Sequence, residues 1–236
     1  MAKSKGEFAE GPIYIIIDYI CWFFLGNLYF LLMNIPLLLI LTVVLSNDAS
    51  LAQDWVTPII ICCIPIGPAA TALLSVMGKL VREKDINITK DFFKAYKASF
   101  FQSLFFGALE IIIISILVMD IRFFNAGRYP RALTIFIFII IAFILLMSLY
   151  VFPIISRFYL NTKYILKTAA YYTFRKFHIT ILNFVMLLVI GYIFFKISIF
   201  VLAFIVSIIC YSIMFYQQET LLKIQEDMKK NKKDTF

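Results

Sequence analysis

The chain has 236 residues, of which 63% are hydrophobic and only 15% are charged, and its mean hydropathy is +0.94. A water-soluble protein of this length cannot cover so much apolar side chain with so few polar residues, so the composition excludes that class and indicates an integral membrane protein. The net charge of +8 does not indicate a nucleic-acid-binding protein, because the basic residues lie between long apolar runs rather than along one soluble face. We expect them to contact the anionic head groups of the lipid bilayer instead.

Six apolar stretches have roughly the length that a helix needs to cross a hydrocarbon core of about 30 Å. The sequence therefore predicts an all-α fold, a polytopic transmembrane helix bundle of about six spans. The spans are predicted near residues 20–45, 57–79, 99–119, 132–153, 179–195 and 198–216. They form a single transmembrane domain over residues 1–216, followed by a charged cytoplasmic tail over 217–236.

The two longest apolar runs need further division. In the first, residues 13–20 are expected at the cytoplasmic interface, ahead of the span proper. In the last, Gly191 and Lys196 mark the expected tight turn between two short spans.

The distribution of basic residues predicts the orientation. If alternate connections face the cytoplasm, 18 of the 22 lysines and arginines lie inside and four lie outside. The positive-inside rule then places both the N-terminus and the C-terminus in the cytoplasm. The expected location is the plasma membrane of a bacterial cell, as a multi-pass protein.

The two larger cytoplasmic connections, 89–101 and 161–177, mix aromatic and basic residues at helical spacing. We predict amphipathic interfacial helices whose basic edges contact lipid phosphates, with docking of a cytoplasmic partner as the alternative. The residues expected to contact lipid or a partner are Lys90, Lys94, Lys97, Arg157, Lys163 and Lys167.

Glu110 is the sharpest single feature, because a carboxylate near the middle of the third span costs a few kcal/mol on insertion scales. Ser99, Ser103, Gly107 and Glu110 are spaced by 4, 4 and 3 residues and form one stripe of small and polar side chains. Such a stripe faces other helices or a cavity. Two interpretations stay open: a proton-coupled or substrate-contacting carboxylate, and a buried glutamate that fixes helix packing.

The second span contains Pro65, Gly67 and Pro68, which should kink or break the helix at membrane depth. Broken helices line substrate sites in transporters, although proline kinks are also ordinary in membrane helices. Asp18, Asn27 and Asn34 could add a polar seam between the first two spans, the alternative being simple interhelical hydrogen bonding.

The sequence predicts neither an enzyme nor a cofactor. It contains no P-loop and no glycine-rich dinucleotide motif. With a single histidine, His178, it has no catalytic triad, and its four cysteines lie in apolar runs without metal-site spacing. No catalytic residue and no metal ligand is therefore proposed, and no nucleic acid is expected as a partner.

Several short motifs occur together in a recognisable order between residues 10 and 215. They are Gly11-Pro12, Asn27-Leu28, Gly67-Pro68-Ala69, Lys79-Leu80-Val81-Arg82, Asp91-Phe92-Phe93-Lys94-Ala95-Tyr96-Lys97, Asp120-Ile121-Arg122 and Phe152-Pro153-Ile154-Ile155-Ser156-Arg157-Phe158. This order resembles the YesL family of bacterial membrane proteins, a domain-of-unknown-function group (DUF624).

The resemblance implies an association with carbohydrate uptake, since such proteins accompany ABC-type sugar transporter components in Gram-positive bacteria. It supplies no catalytic residues. The leading hypothesis is an accessory or regulatory component of carbohydrate uptake. The alternative is a small transporter or channel that uses the proline-broken second helix and Glu110. The sequence leaves the substrate and the oligomeric state open.

Overall fold

The computed structural model describes residues 12–46, 56–84, 86–127, 129–196 and 204–233, and the regular secondary structure within these ranges is entirely α-helical. The helices are α1 (Pro12–Met33), α2 (Ile35–Ser46), α3 (Val56–Cys63), α4 (Ile66–Glu83), α5 (Ile88–Ala126), α6 (Arg131–Arg157), α7 (Thr162–Arg175), α8 (Phe177–Lys196) and α9 (Ile205–Lys233). The predicted all-α class is confirmed.

The helices have the lengths and apolarity of a multi-pass membrane protein. Within the described ranges, five segments are long and apolar enough to cross a membrane: α1, α3 together with α4, α5, α6 and α9. A sixth is counted if α7 and α8, which meet at 90°, form one bent span. The predicted helical bundle of about six spans agrees with this count.

The central helix of the bundle is α4, which packs against α1, α5, α6 and α9. Its side chains Leu73, Met77 and Leu80 are completely buried. The alternation of small and large residues in α4 lets four neighbours approach it at once, because alanine, glycine and threonine leave room between the larger side chains.

The first predicted span, 20–45, is divided into two helices rather than one. The break falls at Asn34, where α1 ends and α2 begins. Pro36 lacks the N–H that would bond the carbonyl of Leu32. The Asn34 side-chain amide donates to the Phe30 carbonyl at 2.8 Å. The stretch 13–20, predicted to lie at the cytoplasmic interface, is the first part of α1.

Helix α5 corrects the prediction of a separate interfacial helix at 89–101. It is one continuous helix of 39 residues, about 58 Å long. Neither glycine nor proline interrupts residues 88–106, so nothing ends the helix at the membrane edge. Between Lys97 and Asp120 the helix carries no charged residue except Glu110. This stretch is about 33 Å long, which matches the thickness of the hydrocarbon core, so residues 88–97 are expected outside the core.

The second connection does form its own helix, α7, which turns by 90° into α8. Helix α8 runs through Gly191 without a break and ends at Lys196, so Gly191 does not mark a turn. The residues that follow, 197–203, lie outside the described ranges, as do the first part of the predicted last span and the end of the tail.

The predicted charged tail, 217–236, is helical as far as Lys233, because α9 continues into it from the membrane segment. Leu221 and Ile224 in this part are 1% and 2% exposed and belong to the same buried core as Ile165 of α7. We call the assembly of residues 88–97, α7 and residues 217–233 the cap. The cap carries most of the basic residues that the sequence assigns to the cytoplasmic side.

Candidate functional site

The stripe of small residues on α5 packs directly against the start of α4, as its spacing predicted. A Cβ atom added to Gly67 would lie 2.7 Å from the backbone oxygen of Ser103, and one added to Gly107 would lie 3.3 Å from the Gly67 Cα. The two helices therefore touch backbone to backbone, a contact that only glycine permits at these positions.

The second span is interrupted where the prolines predicted it. Helix α3 ends at Cys63 and α4 begins at Ile66, with Pro65 between them as the N-cap residue. Pro68 cannot donate to the Ile64 carbonyl, which faces the glycine contact on α5. The predicted break is thus present, and the crossing with α5 covers it.

Glu110 lies one turn beyond Gly107 and is half-buried. It lines a cavity of about 280 Å³ between the broken span, α5 and α6. The walls of this cavity include Cys63, Ile66, Gly67, Ala70, Gly107 and Phe152. The carboxyl group and the broken helix, the two strongest candidates from the sequence, therefore border the same space.

A second cavity, of about 220 Å³, lies on the other side of Glu110 between α5, α6 and α7. Its walls are apolar apart from Glu110 and Ser148. Glu110 thus stands between two cavities and is accessible from both.

Ser148 of α6 lines the second cavity together with Glu110, and its hydroxyl interacts with the Glu110 carboxyl group. The same hydroxyl donates to the Leu145 carbonyl at 2.8 Å. A hydroxyl has one hydrogen, so while it donates to Leu145, a hydrogen bond with Glu110 requires the protonated carboxyl group as the donor. A hydroxyl turned towards Glu110 would instead donate to the ionised form. Sequence reasoning missed Ser148 because it lies on another helix.

The remaining polar candidates do not join this site. The Asn27 side-chain oxygen accepts from the Val206 backbone N–H at 3.2 Å, so it connects α1 to α9. This bond matches the alternative of interhelical hydrogen bonding, although its partner lies on α9, and Asn34 bonds within its own helix. Asp18 lies nine residues before Asn27, about 14 Å along α1. None of the three is among the residues that line the two cavities.

A second buried polar group, between α6, α8 and α9, was not predicted from the sequence. The Tyr150 and Thr180 hydroxyls share a hydrogen bond of 2.9 Å, and the Gln217 amide donates to the Leu149 carbonyl at 2.7 Å. Asn183, one turn from Thr180, is completely buried, and its amide has no partner within the described part of the chain. The signal in the sequence was the spacing of Thr180 and Asn183 inside an otherwise apolar helix.

The basic residues predicted to contact lipid or a partner all lie in or beside the cap. The exposed ones are Lys90, Lys94 and Lys97 on α5 and Lys163 and Lys167 on α7. Arg157, at the end of α6, is half-buried and donates from Nη2 to the Gln225 side-chain oxygen at 2.9 Å. Within the described residues no group of three histidine, cysteine, aspartate or glutamate side chains is placed to hold a metal ion.

Comparison with known proteins shows a family similarity over part of the chain. Residues 23–121 match the sequence model of a family described as a protein of unknown function, DUF624. An uncharacterized protein of Bacillus subtilis (strain 168), YteU, is 32% identical over 95 residues, which are 39% of this chain and 43% of that relative. The aligned part therefore spans less than half the length of the relative. No solved structure matches the chain.

The matched segment contains the motifs from Asn27-Leu28 to Asp120-Ile121, together with the Gly67–Gly107 contact and Glu110. The resemblance over the later part of the chain stays a prediction. Residues 23–121 are thus similar to the DUF624 family, as the order of the motifs predicted.

Proposed function

We propose that this protein is an accessory or regulatory membrane component of carbohydrate uptake, which binds a partner through residues 88–97 of the cap. The observation that carries the proposal is that Lys90, Lys94 and Lys97 are exposed along the first part of the continuous helix α5. The distribution of lysine and arginine indicates that the cap faces the cytoplasm of a bacterial cell.

The geometry favours a protein partner over lipid for these lysines. A helix lying flat at the interface would hold all three at the level of the head groups, whereas α5 continues in the direction of the span. Lys90 is about 12 Å from the edge of the core, and the head-group region is only about 5–7 Å thick on each side. The opposite side of this segment is anchored by Phe92, which is completely buried and contacts Tyr29. The lysines are thus presented on a fixed support.

The partner that the YesL resemblance suggests is a component of an ABC-type sugar transporter. The cavities around Glu110 support a role in which the partner, and not this chain, binds the sugar. One carboxyl group and one hydroxyl in apolar walls cannot satisfy the many hydroxyl groups of a sugar. Carbohydrate would then cross the membrane through the partner.

Co-purification from detergent-solubilised membranes of the native host tests the proposal. We expect the tagged chain to recover subunits of a sugar ABC transporter, identified by mass spectrometry. The triple variant Lys90→Gln/Lys94→Gln/Lys97→Gln should lose them, and the control Lys163→Gln/Lys167→Gln, which removes exposed lysines from α7, should keep them. Unchanged recovery with the triple variant would contradict the proposed surface.

A second candidate is a small transporter or channel that uses Glu110, and the cavity shared by Glu110 and the broken helix favours it. A single carboxyl group that can exchange hydrogen-bond roles with Ser148 suits a proton or a small cation better than a sugar. Vesicles containing the purified chain and a pH-sensitive dye should show flux that Glu110→Gln abolishes and that Asp120→Asn, at the end of the same helix, leaves intact. Absence of flux for protons and alkali cations would remove this candidate.

A further inference from the structure

A basic pocket of about 520 Å³ lies where the ends of α4 and α6 meet the last part of α9. Its charged residues are Arg82, Arg157 and Lys229, one from each helix. The rest of its wall is formed by Phe158, Gln225 and Met228, and no carboxylate of the described residues lines it.

Among the described residues, neither arginine has a carboxylate partner, whereas Lys79, Lys176 and Lys223 each have one. Within the described ranges the ion pairs are Lys79–Glu83, Lys79–Asp91, Lys176–Glu219 and Lys223–Glu219. Arg82 is attracted by the adjacent Glu83 without forming an ion pair, and Arg82 and Arg157 repel one another. Three lysines near this end of the bundle are therefore paired with carboxylates, whereas the two guanidinium groups are not.

Neutral groups hold the arginines in place. Arg157 bonds the Gln225 side-chain oxygen at 2.9 Å, and the centre of its guanidinium group lies 5.4 Å from the centroid of the Phe158 ring. Arg82 extends back along α4, where one of its nitrogens lies 3.4 Å from the position of a Cβ on Gly78. Each guanidinium group has five N–H donors, so most of them remain available to a ligand.

Helix dipoles explain part of this arrangement, because both arginines lie in the last turn of a helix, where a positive charge is favoured. That effect acts on each helix separately. It does not account for two guanidinium groups that line one pocket despite their mutual repulsion.

We propose that the pocket binds a phosphate group, held by Arg82 and Arg157 and assisted by Lys229. Planar, forked guanidinium groups match phosphate oxygens in pairs, and a dianion removes the repulsion between them. The phosphate is carried either by the head group of an anionic lipid or by a phosphorylated solute, because the pocket lies at the level where the bundle meets the cap. This site is independent of the lysine surface proposed above.

The test uses the full chain in a phosphate-free maltoside detergent, with two probes. Inorganic phosphate is titrated by calorimetry, and retention of phosphatidylglycerol is measured by native mass spectrometry. Arg82→Gln and Arg157→Gln should each weaken binding roughly tenfold or more. Arg131→Gln, which removes an exposed arginine from the start of α6, should change nothing. Arg82→Lys and Arg157→Lys keep the charge and the fold but lose the forked geometry, and are expected to weaken binding less than the glutamine variants.

The two probes distinguish the sources of the phosphate. Binding of inorganic phosphate that depends on both arginines supports a phosphorylated solute, and arginine-dependent retention of phosphatidylglycerol alone supports a lipid head group. The proposal is overturned if neither probe binds. It is also overturned if the glutamine and lysine variants of Arg82 and Arg157 bind the probes as tightly as the unmodified chain or the Arg131→Gln control.

Discussion

The membrane bundle and the cap are built from some of the same helices but stabilised differently. In the bundle, large apolar side chains such as Met119 and Phe138 face outward, where lipid covers them. In the cap, Leu221, Ile224 and Ile165 are buried, and ion pairs and exposed lysines occupy the surface. The cap thus has the pattern of a water-soluble protein, although α5 and α9 pass into it without interruption.

The comparison shows that the solvent around a helix determines which residues stabilise it. Burial of apolar surface stabilises the cap, because water surrounds it. Between helices in lipid that driving force is absent, so close backbone contacts and hydrogen bonds carry more of the stability. The same kind of substitution should therefore have different effects in the two regions.

Truncation of a buried leucine in the cap should give the largest effect. Leu221→Ala removes a side chain that is 1% exposed, and we expect a loss of about 3 kcal/mol in the free energy of unfolding. Leu39→Ala in α2, at a side chain that is 62% exposed on the surface of the bundle, should cost less than about 0.5 kcal/mol. Reversible unfolding in mixed micelles measures both. Equal losses would show that the two regions do not differ in this way.

A methyl group at the helix crossing should destabilise the bundle by about 2 kcal/mol. Gly67→Ala places a Cβ 2.7 Å from the Ser103 backbone oxygen, and a backbone atom cannot move aside without separating α4 from α5. The control is Ala98→Leu, which enlarges an exposed side chain on α5. If Gly67→Ala unfolds at the same denaturant concentration as the unmodified chain, backbone contact is not what holds these helices together.

The smallest effect is expected at the junction of the two regions, where α4 ends. Lys84 has a φ of 58°, in the left-handed region that favours glycine, and its N–H bonds the Leu80 carbonyl. Lys84→Gly should therefore raise stability by up to about 1 kcal/mol, visible as a higher melting temperature. Lys84→Ala keeps the Cβ and should give no such gain, which separates backbone strain from loss of the lysine charge.

Much of the architecture follows from apolar length and charge, which predict helices, their number and the basic end. The continuity of α5 was not predicted, because a charged residue shows where a helix leaves the hydrocarbon core but does not end the helix. Pro65 and Pro68 did predict a break, since they remove backbone donors locally. The same reasoning applied to Pro36 would have predicted the division of the first span at Asn34.

The candidate sites show the same limit. Glu110 and the stripe through Gly107 were visible because they depend on spacing within one helix. The positions of Ser148 beside Glu110 and of Arg82 beside Arg157 were not visible in the sequence, because they depend on how far one helix is shifted along another. That shift is determined by packing contacts distributed over the whole bundle, and no local pattern encodes it.

The continuity of α9 has a mechanical consequence. One end of this helix begins beside Asn27 of α1, through the hydrogen bond to Val206, and the other end forms part of the cap. It is about 43 Å long, and its continuous backbone hydrogen bonds resist bending. A displacement of the cap should therefore move the whole of α9 and, through the Asn27 contact, α1.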